Sequence, residues 1–355
     1  MSLSYSRVGV RSGGEIPGLK ALLHHLQPTF QYAPGAEPRI GFGYYANVIP
    51  VTDRLGIAIS TDGVGTKLLV AQEMGRYDTV GIDCVAMNAN DVVCVGARPV
   101  SMVDYVAVED AGEELLGQLG AGLAEGARQA GISIPGGELA QIKEMIRGVR
   151  PGSGFDLVGT CIGTVALDRI LTGATLQAGD AVLGLASSGV HSNGLTLARA
   201  ALPDLQERPP ELGGRSVGEE LLTPTLIYVK AALALLDGGT GVRALAHITG
   251  DGFLNLGRVE SNASFDIEAL PEPPPIFRLI QQRGALPDAE MFFVFNMGVG
   301  FVAVVPEQDE GRALGLLNGA GYRATRIGTV AADGARSVYL RGANLVGRDG
   351  RFWPA

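Results

Sequence analysis

Asp62, Gly63, Gly65, Thr66 and Lys67 fall within six positions of the stretch STDGVGTKLLVAQ, residues 60–72. A carboxylate, two glycines, a hydroxyl and an ammonium are the parts from which a phosphate site is made. The order is not that of a P-loop, G-x-x-x-x-G-K-[ST], whose amides wrap the phosphates with Lys and a hydroxyl directly after. Here an aspartate leads, between the apolar run LGIAIS and a helical run.

A second group of candidates lies in DTVGIDCVAMNANDVVCVG. Read as a helix, with a step of about 100° per residue, it carries Asp83, Met87, Asn90 and Asp91 on one side. Val85, Ala86, Ala89, Val92 and Val93 take the other. Carboxylates clustered beside the strand end that holds Asp62 suit Mg²⁺, which binds through one or two carboxylates plus substrate phosphates. The spacing is equally that of a solvated helix face. Asp62 also fits a turn or a helix N-cap, and Lys67 fits an exposed lysine.

Two further loops have donors at the start of a helical run. SSGVHSNG, residues 187–194, contains Ser188, His191 and Asn193, and AHITGDGFLNLGRV, residues 246–259, contains His247 and Thr249. Small residues between a strand and a helix leave amides free for an anion; the same residues also serve as ordinary caps. GFGYYA, residues 41–46, satisfies G-x-G-x-x-A, yet no convincing strand precedes it, so a dinucleotide fingerprint is not expected. GGELAQ, residues 136–141, reads as a turn into a helix or as a place where Glu138 joins a metal or nucleotide site.

The elements that must hold these residues divide the chain in two. Strands are predicted at 55–60, in SMVDYVAVE and in FDLVGTCIGTVA, and helices at 67–74, 77–95 and 112–130. The pattern then restarts with strand AVLGLASSG, helix LTLARAAL and one long helix over GEELLTPTLIYVKAALALL. FDIEAL, GVGFVAVVP and TRIGTVA follow as strands, with PPIFRLIQQRG and EGRALGLLNGAG as helices between them. An α+β architecture of two domains is expected, with a partly mobile arm at 1–50, domains at 51–169 and 170–345, and a tail at 346–355.

The 355 residues, 46% hydrophobic and 18% charged with 52 glycines, describe an ordered globular chain able to bury two cores. A formal charge of −9 gives no basic footprint for nucleic acid or an anionic membrane. Small molecules are the expected partners. Cys84, Cys94 and Cys161 form no C-x-x-C, and neither a signal peptide nor a membrane span is recognisable, so a cytoplasmic protein with reduced thiols is expected.

In order along the chain, STDGVGTKLLVAQ, DTVGIDCVAMNANDVVCVGARP, DYVAVE, GGE, SSGVHSNG, LTPTLIYVK, AHITGDGFLNLGRV and FNMGVG resemble the phosphoribosylformylglycinamidine cyclo-ligase, or AIR synthetase, family of purine biosynthesis. The resemblance runs from about Ser4 to Gly328. It implies an AIR-synthetase-like fold with N-terminal sheets meeting in a homodimer, and ATP-dependent closure of formylglycinamidine ribonucleotide to aminoimidazole ribonucleotide. It places Asp62 and Asp91 at Mg-ATP, with room for a monovalent cation. Gly63, Gly65, Thr66 and Lys67 fall at phosphate and Glu138 near the same site, while Ser188, His191, Asn193 and Thr249 face the ribonucleotide. His191 is a candidate for proton transfer, since an imidazole titrates near working pH. Three departures stand out: Leu139 where the family has Thr, Asp251 where it reads H-I-T-G-G-G, and the apolar residues before FNMGVG. The rivals are another ATP-dependent phosphorylating enzyme of this fold and a non-catalytic binding protein.

Overall fold

The computed structural model describes residues 3–10 and 16–355. The mobility expected of residues 1–50 falls in part on 1–2 and 11–15, which lie outside the described residues. LKALLHHL belongs to helix α1 (Pro17–Leu26), which starts at a proline and buries none of its side chains.

The first half is a five-stranded sheet made of β1 (Asn47–Pro50), β2 (Leu55–Gly63), β3 (Arg98–Val108), β4 (Gly137–Gln141) and β5 (Phe155–Ala166), in the order β1-β2-β5-β3-β4. Only β3 and β4 pair in parallel. GGELAQ is therefore an edge strand and not a turn into a helix. Helix α2 (Lys67–Met74) leaves the end of β2, α3 (Asp78–Cys94) lies across β5 and β2, and α4 (Glu113–Ala130) packs on α3. The two helices touch at backbone distance: a Cβ on Gly122 would stand 1.9 Å from the carbonyl oxygen of Asp78. From Thr79 to Cys94 every residue of α3 except Ile82 is buried, because the second half of the chain covers the side that neither the sheet nor α4 reaches.

That second half is an eight-stranded sheet of β6 (Ala181–Ala186), β7 (Ala244–His247), β8 (Ser264–Ile267), β9 (Val299–Val305), β10 (Ala324–Ala331), β11 (Val338–Leu340), β12 (Leu345–Arg348) and β13 (Arg351–Pro354), ordered β13-β12-β11-β8-β10-β6-β9-β7. Residues 345–354, expected to lie largely in a tail, complete this sheet as a hairpin. Its helices are α5 (Leu195–Ala201), α6 (Val217–Leu221), α7 (Val229–Asp237), α8 (Pro275–Gly284), α9 (Asp288–Val294) and α10 (Glu310–Gly319). The long helix expected over GEELLTPTLIYVKAALALL is broken into α6 and α7. Pro224 has no N–H to give a helix, and the amides of Thr225 and Tyr228 go instead to the side chains of Asp83 and Asn90 on α3, at 2.7 Å each.

One face of the first sheet stays open. Ile59 pairs with Ile162, Val103 with Thr160 and Tyr105 with Val158, so their side chains share a face. Ile59, Val103 and Tyr105 are 37%, 45% and 41% exposed.

Candidate active site

Asp62 sits near the end of β2, opposite Gly159 on β5. A side chain on Gly159 would meet the Asn88 amide at 2.7 Å; the glycine thus lets α3 press against the sheet. Asn88 Oδ1 accepts from the Asp62 amide at 2.9 Å and Asn88 Nδ2 donates to the Asp62 carbonyl at 3.0 Å. The Asp62 carboxylate in turn accepts from the Gly63 amide at 2.8 Å. Burial, and next the charge of Asp91, push the Asp62 carboxyl up to about 6.

The polar side of α3 is not a solvated face. Lys67 and Asp83 are fully buried, with Nζ 2.9 and 2.8 Å from the two oxygens of Asp83 and 2.7 Å from the carbonyl of Thr223. Asp83 Oδ1 also accepts from the Thr225 hydroxyl at 2.6 Å, and that hydroxyl lies 3.1 Å from Ser192 Oγ. Lys67 is thus neither an exposed lysine nor one whose ammonium faces an opening; it ties the first loop to the second half of the chain. Asn90 Nδ2 donates to the Leu226 carbonyl at 2.9 Å. Asp91 Oδ1 lies 2.9 Å from His247 Nδ1, and His247 Nε2 lies 3.4 Å from Asn90 Nδ2. Asn90 donates and Asp91 accepts, so Nε2 is the accepting nitrogen and Nδ1 carries the proton.

The loops at residues 60–67 and 187–194 converge. Thr66 Oγ1 and Thr196 Oγ1, at the starts of α2 and α5, are 2.9 Å apart. No atom outside its own chain neighbours lies within 4 Å of where a side chain on Gly65 would begin, so the first loop is open there. Asn296 braces the second loop by donating to the Gly189 carbonyl at 2.9 Å and receiving the Ser187 hydroxyl at 2.9 Å. Ser188 Oγ donates to the Pro224 carbonyl at 2.6 Å.

His191 has φ of +63°, a left-handed conformation that stores strain in a residue other than glycine. Its Nε2 accepts from the Ser188 amide at 3.2 Å, whereas the buried Nδ1 has no partner. Burial, then His247 and Lys67, hold its pKa well below the usual imidazole range. The expectation of a group titrating near working pH is corrected accordingly: His191 is a neutral imidazole with a spare N–H donor. The Asn193 amide is likewise buried without a partner, and Asn193 Oδ1 approaches within 3.5 Å of where a side chain on Gly250 would start. Asn255 shapes this third loop, accepting from the Thr249 amide at 2.7 Å and donating to the Gly250 carbonyl at 2.9 Å.

Glu138 is not brought to this cluster. It pairs with Tyr105 in the β3–β4 register, exposed on the open face of the sheet, whereas Asp62 faces α3. Asp251 has φ of +70°, which explains why glycine serves in the family string and why Asp, tolerant of the left-handed region, can replace it. Asn88, Asn255 and Asn296 are not singled out by the sequence reading; asparagine is a poor helix former, and Asn88, beside Asn90 inside the apolar α3, was the one with an available signal. Among the described residues no group of three or more His, Cys, Asp or Glu could hold a metal. Burial is the larger cause of the raised pKa of Asp62 and the charge of Asp91 the second, and a pair of interacting carboxylates fits the one or two that Mg²⁺ takes beside phosphate.

Residues 43–165 match the model of the AIR synthase related protein N-terminal domain and residues 177–341 that of its C-terminal domain. The phosphoribosylformylglycinamidine cyclo-ligase of Thermococcus kodakarensis is 48% identical over 89% of this chain and 92% of its own. That of Methanothermobacter thermautotrophicus is 46% identical over 94% and 96%. In fold, the chain is similar to hydrogenase maturation protein HypE in complex with ATP, with a TM-score of 0.58, 20% identity and coverage of 92% of both chains. Identity this high over most of the chain, with both domain models matched, means that the chain belongs to the phosphoribosylformylglycinamidine cyclo-ligase family.

Proposed function

We propose that the protein closes formylglycinamidine ribonucleotide to aminoimidazole ribonucleotide with ATP, at the cleft where the loops around Asp62, His191 and Thr249 meet. The observation that carries this reading is the whole-length likeness to cyclo-ligases together with that convergence. The γ-phosphoryl group leaves ADP for the formyl amide oxygen, which turns a poor leaving group into a good one. The amidine nitrogen then attacks the activated carbon, the C–O bond breaks with loss of phosphate, and a proton leaves the nitrogen. Mg²⁺ bound at Asp62 and Asp91 would neutralise charge on the phosphates. Asn88 fixes the backbone of Asp62, the Gly63 amide holds its carboxylate and His247 fixes Asp91, so both carboxylates are oriented before the nucleotide arrives. The spare Nδ1–H of neutral His191 is suited to donate to an oxygen as charge develops there, as a proton already in place and not one exchanged with solvent. Holding nitrogen and carbon together between these loops makes the second step intramolecular, worth on the order of 7 kcal/mol or more. Such chemistry suits a cytoplasmic enzyme with three buried, reduced thiols.

In the test of this reading, the purified protein forms product, ADP and phosphate in equal amounts and releases little ADP when the ribonucleotide is left out. ATP hydrolysis at one rate with and without the ribonucleotide, and no imidazole product, would favour a different phosphorylating enzyme of this fold.

A homodimer through the open face of the first sheet is part of the same proposal. Apolar side chains in a row on one sheet face favour cover by a second copy, and a symmetric pair would bring Glu138 of each chain to the interface. Light scattering should report a dimer at micromolar concentration, and the double variant Val103→Asp, Tyr105→Arg should shift it toward monomer. A wild-type monomer would remove this interface.

A further inference from the structure

Arg258 ends a 3₁₀-helix (Gly252–Arg258) that starts in the third loop, directly after Asp251. Its guanidinium lies 5.0 Å over the ring of Tyr45. Tyr45 is only 5% exposed and is held twice: its hydroxyl donates to the Asn255 carbonyl at 2.9 Å, inside the same 3₁₀-helix, and its carbonyl accepts from Ser60 Oγ at 3.2 Å. Ser60 and Asp62, two residues apart on β2, point to one face of the sheet, so Tyr45 spans from the strand end that carries Asp62 to the third loop. Asn255 ties the 3₁₀-helix back to that loop through the Thr249 amide at 2.7 Å and the Gly250 carbonyl at 2.9 Å. The platform under Arg258 is therefore rigid before any ligand binds.

A cation over an aromatic face is oriented by the ring, but the stack uses none of the N–H donors of a guanidinium. Among the described residues the Arg258 side chain has no hydrogen bond and no ion pair. Arginines that serve the fold spend their donors: Arg336 Nη2 on the Val259 carbonyl at 3.0 Å, Arg243 Nη1 on the Thr175 carbonyl at 2.8 Å, Arg326 Nη1 on Glu310 at 2.7 Å. Asp251 lines the same cavity as Arg258, of about 430 Å³, and feels its charge without forming an ion pair. The charge reaches the first loop as well. Burial and Asp91 raise the Asp62 carboxyl, and Arg258 is one of the groups that pull it back. A half-buried guanidinium with its donors unspent thus lies between the loop of Asp62 and the loop of Thr249.

We propose that Arg258 is a catalytic residue whose guanidinium meets the phosphoryl group as it passes from ATP to the formyl amide oxygen. In that step the bond from the γ-phosphorus to the oxygen of ADP breaks while the bond from the amide oxygen to phosphorus forms, and negative charge spreads over the three equatorial oxygens. The fork of the guanidinium binds two of those oxygens; Arg258 stays protonated and exchanges no proton. It is anchored on the third loop, on the side of the ribonucleotide, and not on the loop of Asp62. Its contact therefore forms as the phosphoryl group leaves the nucleotide, which is an interaction of the transition state. The assignment rests on the cyclo-ligase reading, which supplies the acceptor oxygen.

The test compares wild type with Arg258→Ala and Arg258→Lys. In Arg258→Ala, kcat should fall by about a hundredfold or more, the scale of losing one preorganised donor to a developing charge, while KM for ATP and for the ribonucleotide stays within about threefold. Arg258→Lys, which keeps the charge and loses the fork, should lie between the two. Guanidinium ion added at millimolar concentration should restore part of the rate of Arg258→Ala, and sodium chloride at the same ionic strength should not. A loss of rate with no such rescue and a lower melting temperature would reduce Arg258 to a stack on Tyr45. A rise in KM for the ribonucleotide at unchanged kcat would make it a ground-state anchor, and unchanged constants would remove it from the site; each overturns the assignment and leaves the cyclo-ligase reading standing. If wild type forms no imidazole product, that reading fails. Calorimetric binding of MgADP with aluminium fluoride, a stand-in for the phosphoryl group in transfer, still decides Arg258: it should be about tenfold or more weaker in Arg258→Ala, with MgADP alone within about threefold, and equal binding by both proteins would overturn the role.

Discussion

Lys67→Met is expected to lower the stability of the protein by about 3–5 kcal/mol, because it leaves the Asp83 carboxylate buried with no cation. Lys67 Nζ lies 2.8–2.9 Å from Asp83, both residues have no exposed side-chain surface, and the ammonium also holds the Thr223 carbonyl at 2.7 Å. Removal breaks a link that crosses from the first loop, through α3, to the segment between α6 and α7. The methionine fills much the same volume, so the loss comes from charge and hydrogen bonding and not from a cavity. Converting Asp83 to Leu in the same chain should recover only part of the loss: it removes the stranded charge but abandons the Thr225 amide and hydroxyl. Thermal unfolding with and without Mg-ATP decides between this tether and a direct phosphate contact. A variant that melts like wild type but no longer binds the nucleotide would return Lys67 to the phosphate.

Asp91→Asn is expected to cut turnover by at least about tenfold, the scale of losing more than one kcal/mol of transition-state stabilisation. Unlike Lys67, Asp91 should be lost with little change in melting. An asparagine Oδ1 can still accept from His247 Nδ1, which lies 2.9 Å from Asp91 Oδ1, so the fold keeps the hydrogen bond while the site loses a charge. Unaltered kinetics would remove Asp91 from the site.

Its neighbour adds a pH dependence whose sign is fixed. Asp62 titrates at about 6 in the folded protein against an ordinary value of 3.8. Nucleotide binding with Mg²⁺ should therefore weaken as pH falls through about 6, where Asp62 takes up a proton. The stability of the ligand-free fold should move the other way: a carboxyl with a raised pKa penalises the folded state once ionised, and the penalty disappears as pH falls from about 6 toward 3.8. Asp62→Asn should accordingly melt no lower than wild type and should lose the pH-dependent part of nucleotide binding. A lower melting temperature for Asp62→Asn at neutral pH would contradict this account of the shift.

Much of the secondary structure was legible because it is set by patterns along one stretch of chain. A run made mostly of strong helix formers, and Gly75 at left-handed φ past its end, delimit α2 at Lys67–Met74. The alternating burial of FDLVGTCIGTVA marks β5. The loops at Asp62, His191 and Thr249 could be picked out for the same reason, since glycines and short polar residues between a strand and a helix are a local signal. What a polar residue faces is not local. Asp83 and Asp91 have the spacing of a solvated face, and only the packing of the second half on α3 turns that face into an interface, giving Asp83 to Lys67 and Thr225, and Asp91 to His247, 156 residues away. The same packing breaks the helix expected across Pro224, removes water from His191 and so keeps it neutral, and leaves Glu138 on the far side of the sheet, because strand register decides the face. Residue types along the chain determined which groups were available for phosphate and metal. Which of them meet, and in which protonation state, depended on contacts between distant segments and on the water those contacts exclude.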